Sequence, residues 1–492
     1  MTGPVLCFRG LQDRCWRLAA LVVREGGGAP PPMLLGDAEP VAPRHLADRC
    51  GHGLWRYDFR LALGEAEREA AYAIGGRRWR VRLPAAGGAL RVAYTACNGM
   101  EGERTWSERP ARNERWRHLA AEHARAPFHL LLHGGDQLYA DSMWREVPAL
   151  AAWQRLPARR RLAAPFPPEM AEAVGAYFFA RYRWLWRQPE VAPLLAEIPS
   201  LMMWDDHDIF DGWGSHDPEW QACPVFRGIY AAAREHFALF QLGVRPGGLP
   251  PDEGFIDPSG AQFGWAHRAL EGVGIVAPDL RSERSRDRVM GEAAWHGFVA
   301  ALEGMADCRH VLLLSSVPAV NAATPWLERL YEALPGHQYF QLDLRDQWRS
   351  ISHRDEWLRL MRHLLAFSGR TGARVTALSG EIHLGAFAVA EGGGGGGARI
   401  YQLTSSGIVH PPPWAPLVAL MDWLSTGPAE EVEPGLAVKI LPIPGLGKRF
   451  LRARNWLALE LPAAGDGLAA TWHSDASSFS VRLPPGAGPR GA

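Results

Sequence analysis

Four apolar runs in this 492-residue sequence are each followed at once by side chains able to hold a metal ion or move a proton. Residues 130–132 lead into His133-Gly134-Gly135-Asp136-Gln137-Leu138-Tyr139-Ala140-Asp141, and residues 201–204 into Asp205-Asp206-His207-Asp208. Residues 375–378 lead into Ser379-Gly380-Glu381-Ile382-His383, and residues 92–96 into Cys97-Asn98. Clustered carboxylates repel one another unless protons or cations neutralise them. Mixed oxygen, nitrogen and sulfur donors suit zinc and other transition metals, and carboxylate oxygens also suit calcium. Asp136 can offer two oxygens and so bridge two ions. Tyr139, three residues on, can offer a phenolate, a hard donor suited to a trivalent ion such as iron. Glu381 and His383 are two apart, so on an extended segment they project the same way. His207 stands among carboxylates whose charge would hold it protonated, as acid catalysis requires.

These groups need elements to bring them together. The runs at 90–96, 128–132, 200–204, 311–314 and 374–378 fit strands buried on both faces of a central sheet. Long helix-compatible segments lie between several of them, which suggests a layered α/β domain. Ligands bind at the carboxyl ends of strands in open α/β sheets, so the four motifs could converge. Residues 1–88 differ: short strand-like segments at 15–23, 54–63 and 78–83 alternate with Gly/Pro-rich turns, as in a small β-sandwich. A chain of this length has room for more than one domain. The expected division is a β-sandwich over 1–88 and an α/β domain over 89–492. The second carries a helical insertion at about 142–199 and a β-rich tail at 456–483. Residues 170–188 are aromatic and helical in pattern, read as packing on the sheet rather than as a lid. Gly392 to Gly397 form a glycine run between two strand-like segments, expected to be a mobile hairpin tip, and residues 417–424 an apolar helix.

The motifs resemble a known family. Gly135-Asp136-Gln137-Leu138-Tyr139-Ala140-Asp141 is similar to the second metal motif of calcineurin-like phosphoesterases, with the Tyr of purple acid phosphatases and PhoD-like (alkaline phosphatase D) enzymes. Trp204-Asp205-Asp206-His207-Asp208 resembles the PhoD-like W-D-D-H-[DE] block. Ser379-Gly380-Glu381-Ile382-His383 is similar to the late S-G-D-x-H block, with Glu381 in place of Asp. Ala96-Cys97-Asn98 resembles the opening block, where a thiolate replaces an Asp, and Pro278-Asp279-Leu280-Arg281 the L-D-x-R segment. The blocks stand in family order from about residue 90 to 410.

The resemblance implies a calcineurin-like four-layer α/β sandwich, preceded by an N-terminal β-sandwich, and a phosphoesterase acting on phosphomonoesters or phosphodiesters of small molecules. It implies two or more metal ions, Fe3+ and Ca2+ favoured and Zn2+ or Mn2+ possible, held by Cys97, Asp136, Tyr139, Asp206, Glu381 and His383. A metal-activated hydroxide would attack phosphorus, with Asp206 and His207 as catalytic residues and His207 and Arg281 at the substrate phosphate. Asn98, Asp141, Asp205 and Asp208 would support the ligands. Glu381 lengthens one ligand arm by a methylene.

Plainer readings stand beside these. Cys97 alone would be a small buried hydrophobe, and its strand-end position favours a ligand. Asp141 could cap a helix. His133 reads as structural or as a support behind the ligands, His216, His236, His267 and His353 read as structural, and Arg281 and Arg284 could be surface ion-pair residues. Hydrolysis of another bond, or binding of phosphate or metal without turnover, remains open. Equal numbers of basic and acidic residues, 53 each, give no nucleic-acid signature. The six scattered cysteines have no C-x-x-C pair and form no disulfide framework. No run reaches the length of a membrane span, and no signal peptide or twin-arginine pair is seen, so a cytoplasmic location is expected. No pattern specifies an oligomeric state.

Overall fold

The computed structural model describes all residues except 37, 101–110, 246, 322–344, 381, 394–396, 463–466 and 486–492. Each of the five buried runs forms a strand: Leu90–Thr95, Leu130–Gly134, Ser200–Met203, His310–Leu314 and Arg374–Ser379. They do not share one central sheet. The first three are parallel neighbours in a ten-stranded sheet, and the last two are parallel neighbours in a nine-stranded sheet. Apolar runs report burial on both faces but not the partner strand, so the split was invisible in the sequence.

Alternation along the second sheet shows how the layers stack. Leu312, Leu314, Leu378 and Leu403 turn to the core shared with the first sheet, while Val311, Leu313, Val375 and Ala377 turn to a second core. That second core also takes Trp295 and Phe298 of the helix Glu292–Glu303, and Trp357, Leu360 and Leu364 of the helix Arg354–Thr371. In a strand, successive side chains point to opposite faces, so each strand serves two cores. Helices cover the outer faces of both sheets, giving the four-layer α/β sandwich that the resemblance implied.

The N-terminal region is β-structure. Its strands Thr2–Gln12, Cys15–Glu25, His52–Ala62 and Arg44–Arg49 continue the ten-stranded sheet through a parallel pairing of Cys7 with Ser200. Met33–Leu34, Arg68–Ile74 and Arg77–Leu83 make a separate three-stranded sheet. At the opposite edge, the C-terminal strand Asn455–Leu461 pairs antiparallel with Leu90–Thr95, followed by Ala469–Ser474 and Ser478–Arg482. The strand Gly385–Gly392 lies antiparallel to Arg399–Ser405, and the middle of the glycine run between them is outside the described residues.

The insertion is helical. Its longest helix, Pro168–Leu185, buries Tyr177, Phe178, Phe179 and Tyr182. Tyr182 stacks on Phe240 of the helix Pro224–Phe240 with ring centroids 4.9 Å apart. Tyr177 Oη also donates to the Ala140 carbonyl at 3.1 Å, so this helix braces the loop that carries Asp136 and Asp141.

A buried ion-pair cluster ties the N-terminal strands to the segment after Phe240. Arg56 is fully buried and donates to both oxygens of Glu253, at 2.9 and 2.5 Å, and to the Gly243 carbonyl at 3.0 Å. Arg9 Nε lies 2.9 Å from the same carboxylate. Removing one partner of a buried pair strands the other charge, at a cost of roughly 3–5 kcal/mol. Glu253→Gln is therefore expected to lower unfolding free energy by about that amount. Urea denaturation is the check, and a loss under about 1 kcal/mol would show that the cluster is not desolvated as described.

Candidate metal centre

The four motifs converge where the carboxyl ends of the two sheets meet. Asp136 follows the strand Leu130–Gly134, Cys97 follows Leu90–Thr95, and Asp205 to Asp208 follow Ser200–Met203 in the first sheet. His383 follows Arg374–Ser379 in the second. Two glycines permit the approach. A Cβ on Gly134 would sit 1.9 Å from Tyr94 Oη, and one on Gly135 (φ +103°) would sit 2.8 Å from Asp205 Cβ.

Among the described residues, two groups of donors have metal-sized spacing, and Asp136 belongs to both. Ligand atoms of Cys97, Asp136 and His383 lie within 4.8 Å of one another, as do those of Asp136, Asp206 and His207. Cys97 Sγ is 3.4 Å from Asp136 Oδ2, and Tyr139 Oη is 3.5 Å from that oxygen and 3.3 Å from His383 Nε2. Ser406 knits the first group together: its hydroxyl donates to Cys97 Sγ at 3.0 Å and accepts from the His383 backbone N–H at 3.2 Å. Glu381 lies outside the described residues.

The donor set fits a cation on two observations. Asp136 Oδ1 is buried and has no hydrogen-bond partner among the described residues, an arrangement that costs free energy unless something else satisfies it. Burial, and then the carboxylates of Asp205, Asp206 and Asp208, push the Asp136 pKa well above its ordinary value, with His207 opposing. A bound cation would reverse that balance. In addition, Cys97, Asp136 and His383 all have positive φ, at 55°, 55° and 53°. Left-handed backbone at a non-glycine residue costs of order 1–3 kcal/mol and concentrates at functional sites.

The surrounding aspartates divide into distinct jobs. Asp208 accepts from the Leu138 N–H at 2.9 Å, from Gln241 Nε2 at 2.8 Å and from the Asp205 N–H at 3.0 Å, so it pins the Tyr139 loop to its own. Burial raises its pKa to about 7, with those hydrogen bonds opposing. Asp205 pairs with Arg281. Burial, offset by Arg281, raises the Asp205 pKa to about 6. Asp206 accepts from the backbone N–H groups of His207 and Gly212 at 3.0 and 2.8 Å. Asn98 supports the centre from behind, accepting from Trp116 Nε1 at 2.8 Å.

His207 is held by Asp141. The His207 Nδ1–Asp141 Oδ2 distance is 2.7 Å, and the ring stacks on Tyr139 with centroids 4.2 Å apart. Burial alone would lower the His207 pKa, but Asp141, Asp206 and Asp136 carry it well above its ordinary value. Asp141 also accepts from the Asp211 N–H at 2.8 Å, so it organises a loop rather than capping a helix.

Arg281, expected at a substrate phosphate, is enclosed instead. It is fully buried, paired with Asp205, 3.7 Å from Asp206 and bidentate to Asp346 at 2.7 and 2.6 Å. Arg284 Nε joins Asp346 at 3.0 Å. Burial would raise the Asp346 pKa, yet the two arginines hold it well below the carboxylate range. Neither arginine is a surface residue, because three buried carboxylates require their charge.

One residue at the centre carried no signal in the sequence. His410 stacks on His383 with centroids 3.4 Å apart and lies 5.8 Å from Tyr139. It arrives because the backbone N–H groups of Ile408, Val409 and His410 donate to the carbonyls of Ala96 and Cys97. A His after an irregular Gly-Ile-Val segment has no strand-end pattern to mark it.

Residues 96–338 match the family model described as PhoD related phosphatase. Over that segment the chain resembles the PhoD-related phosphatases. The matched segment holds Cys97, Asp136, Tyr139, Asp141, the Asp205 to Asp208 block and Arg281, while His383 and His410 lie beyond it. The solved structure of PhoD superimposes with a TM-score of 0.56 at 12% identity, covering 97% of this chain and 88% of that one, and so supports the fold. A dimetal phosphatase from Danio rerio aligns over 80% of this chain and 98% of its own, at 10% identity and a TM-score of 0.35, too loosely to support an argument. The uncharacterized protein YGR266W of Saccharomyces cerevisiae is 24% identical over 392 residues, 67% of this chain. The chain spans about half of that relative, 55% of its length.

The close approach at Gly134 gives a direct test of the site's framework. Gly134→Ala puts a methyl group into Tyr94 and is expected to cost about 1–3 kcal/mol, the usual range for overpacking. Urea unfolding measures it, and an unchanged midpoint would mean that the strand end can shift without penalty.

Proposed function

We propose that this protein hydrolyses phosphomonoesters or phosphodiesters of small molecules with two cations shared by Asp136. The observation that carries this reading is the buried Asp136 carboxylate, common to both donor groups and with one oxygen left without a partner among the described residues. Cys97, Tyr139, His383 and Glu381 would complete the ligands of one cation. Asp206 would complete those of the other. A thiolate and a phenolate on one side favour Fe3+ there, and the carboxylates on the other favour Ca2+, with Zn2+ or Mn2+ as substitutes. Bound there, the cations would supply Lewis acidity, activating water and polarising the phosphoryl group.

The chain's own residues then divide the work. Asp141 orients the His207 ring through Nδ1, and Nε2 would deliver a proton to the leaving oxygen. Asp208 and Arg281 keep the Asp206–His207 segment in register with the Asp136 loop, as positioning residues. The burial of Arg281 among carboxylates supports bracing over contact with phosphate. In this scheme residues 1–88 form a supporting β-rich unit, and residues 89–492 the metallophosphatase unit.

A second reading makes His207 a metal ligand, favoured by its grouping with Asp136 and Asp206. Kinetics separate the two. As a general acid, His207 is worth about 10²- to 10⁴-fold in kcat for alkyl phosphoesters. His207→Ala is expected to show that loss, but a much smaller one for nitrophenyl esters, whose leaving group needs no proton, with metal content unchanged. Equal losses on both substrates, or loss of metal, would transfer His207 to the ligand set.

A further inference from the structure

Among the described residues, the helix Ala415–Leu424 is where large apolar side chains gather in the open. Among the described residues, seven large hydrophobics are exposed, and Trp414, Leu420, Trp423 and Leu424 are four of them. Trp414, the N-cap residue, is 73% exposed and Trp423 is 68% exposed. Leu420, Trp423 and Leu424 are spaced i, i+3 and i+4 and so share one helix face. The opposite face holds the helix down through buried Val418 and half-buried Met421. Scattered exposed leucines need no explanation, but a contiguous patch with two tryptophans marks an interaction surface.

The flanking charge indicates the partner. Arg452 Nε donates to the Pro413 carbonyl at 2.8 Å, and the Arg449 N–H donates to Asp422 Oδ1 at 2.7 Å, so the segment 448–452 lies against the helix. Lys448 and Arg452 are exposed and have no ion-pair partner among the described residues. Of the acidic residues that follow, Glu430 is paired with Arg349 and Glu433 with Arg362, while Glu431 has no such partner among the described residues. Aromatic and aliphatic side chains on one face, with cations at the rim, are what an anionic lipid interface receives. No described helix is long and apolar enough to cross a membrane.

We propose that the helix Ala415–Leu424 docks this protein on anionic phospholipid surfaces, with Trp414, Leu420, Trp423 and Leu424 entering the headgroup region and Lys448 and Arg452 meeting the phosphates. Docking would bring the rim of the metal centre towards the lipid, because His410, four residues before Trp414, stacks on His383. The proposal stands apart from the hydrolytic reading and does not require it.

Flotation of the full chain with lipid vesicles tests it. Vesicles of phosphatidylcholine containing phosphatidylserine should carry the protein, and phosphatidylcholine alone should carry much less. The double variant Leu420→Ser/Trp423→Ser is expected to weaken binding at least about tenfold, since each buried apolar side chain contributes to the interface. Lys448→Glu/Arg452→Glu should remove the advantage of phosphatidylserine, roughly tenfold or more for two charges. Circular dichroism and thermal unfolding confirm that the variants fold. Absence of flotation by the native chain, or equal flotation of the variants, overturns the proposal. So does a concentration-dependent dimer in sedimentation velocity that Leu420→Ser/Trp423→Ser abolishes, which would assign the face to a second copy.

Discussion

Asp136 is buried where two sheets meet, with three aspartates on one side and a thiol, a phenol and an imidazole on the other. A carboxylate in that position cannot stay ionised without positive charge beside it, and His207 is the nearby group that supplies some. The rest of the centre follows from this need. Gly134 and Gly135 let the loop come close enough to Tyr94 and Asp205 to place the carboxylate between the sheets. Left-handed backbone at Cys97, Asp136 and His383 turns all three side chains inward. Each feature costs stability when considered alone, and each is explained if cations repay the cost on binding.

Charge balance also explains the second layer. The Asp205 to Asp208 block would be self-repelling if left to itself. Arg281 offsets Asp205 and Asp206, Asp346 is shared between Arg281 and Arg284, and Asp208 is stabilised by three N–H donors. The result is a rigid frame in which Asp206 and His207 are left facing Asp136. Aromatic packing in the helical insertion extends the same support, since Tyr177 and Ser142 hold the far side of the Asp136 loop.

The strand ends and their motifs were legible in the sequence because chemistry and periodicity coincide there. An apolar run followed by Gly-Gly-Asp or Trp-Asp-Asp-His announces both a buried strand and a polar site at its end. What the sequence hid was long-range partnership. The runs at 311–314 and 374–378 have the same apolar character as that at 130–132, yet they belong to a different sheet. The first strand, Thr2–Gln12, joins the ten-stranded sheet beside Ser200–Met203 across a separation of nearly two hundred residues. Arg281 carried a motif, but only the fold shows that Asp346, without any motif of its own, claims its guanidinium. His410 was hidden for the same reason: three backbone hydrogen bonds, which no side-chain pattern encodes, deliver it to His383.

The central claim is that Asp136 holds two cations at once. Elemental analysis of the purified full chain and of its Asp136→Asn variant tests this directly. Two ions per chain are expected for the native protein, since a bridging carboxylate serves a pair of cations. Iron with calcium is the favoured pair, and the variant should lose both ions while remaining folded by circular dichroism. A native protein that binds no metal even when iron, calcium, zinc and manganese are offered, or an Asp136→Asn variant that keeps a full complement, would contradict the account.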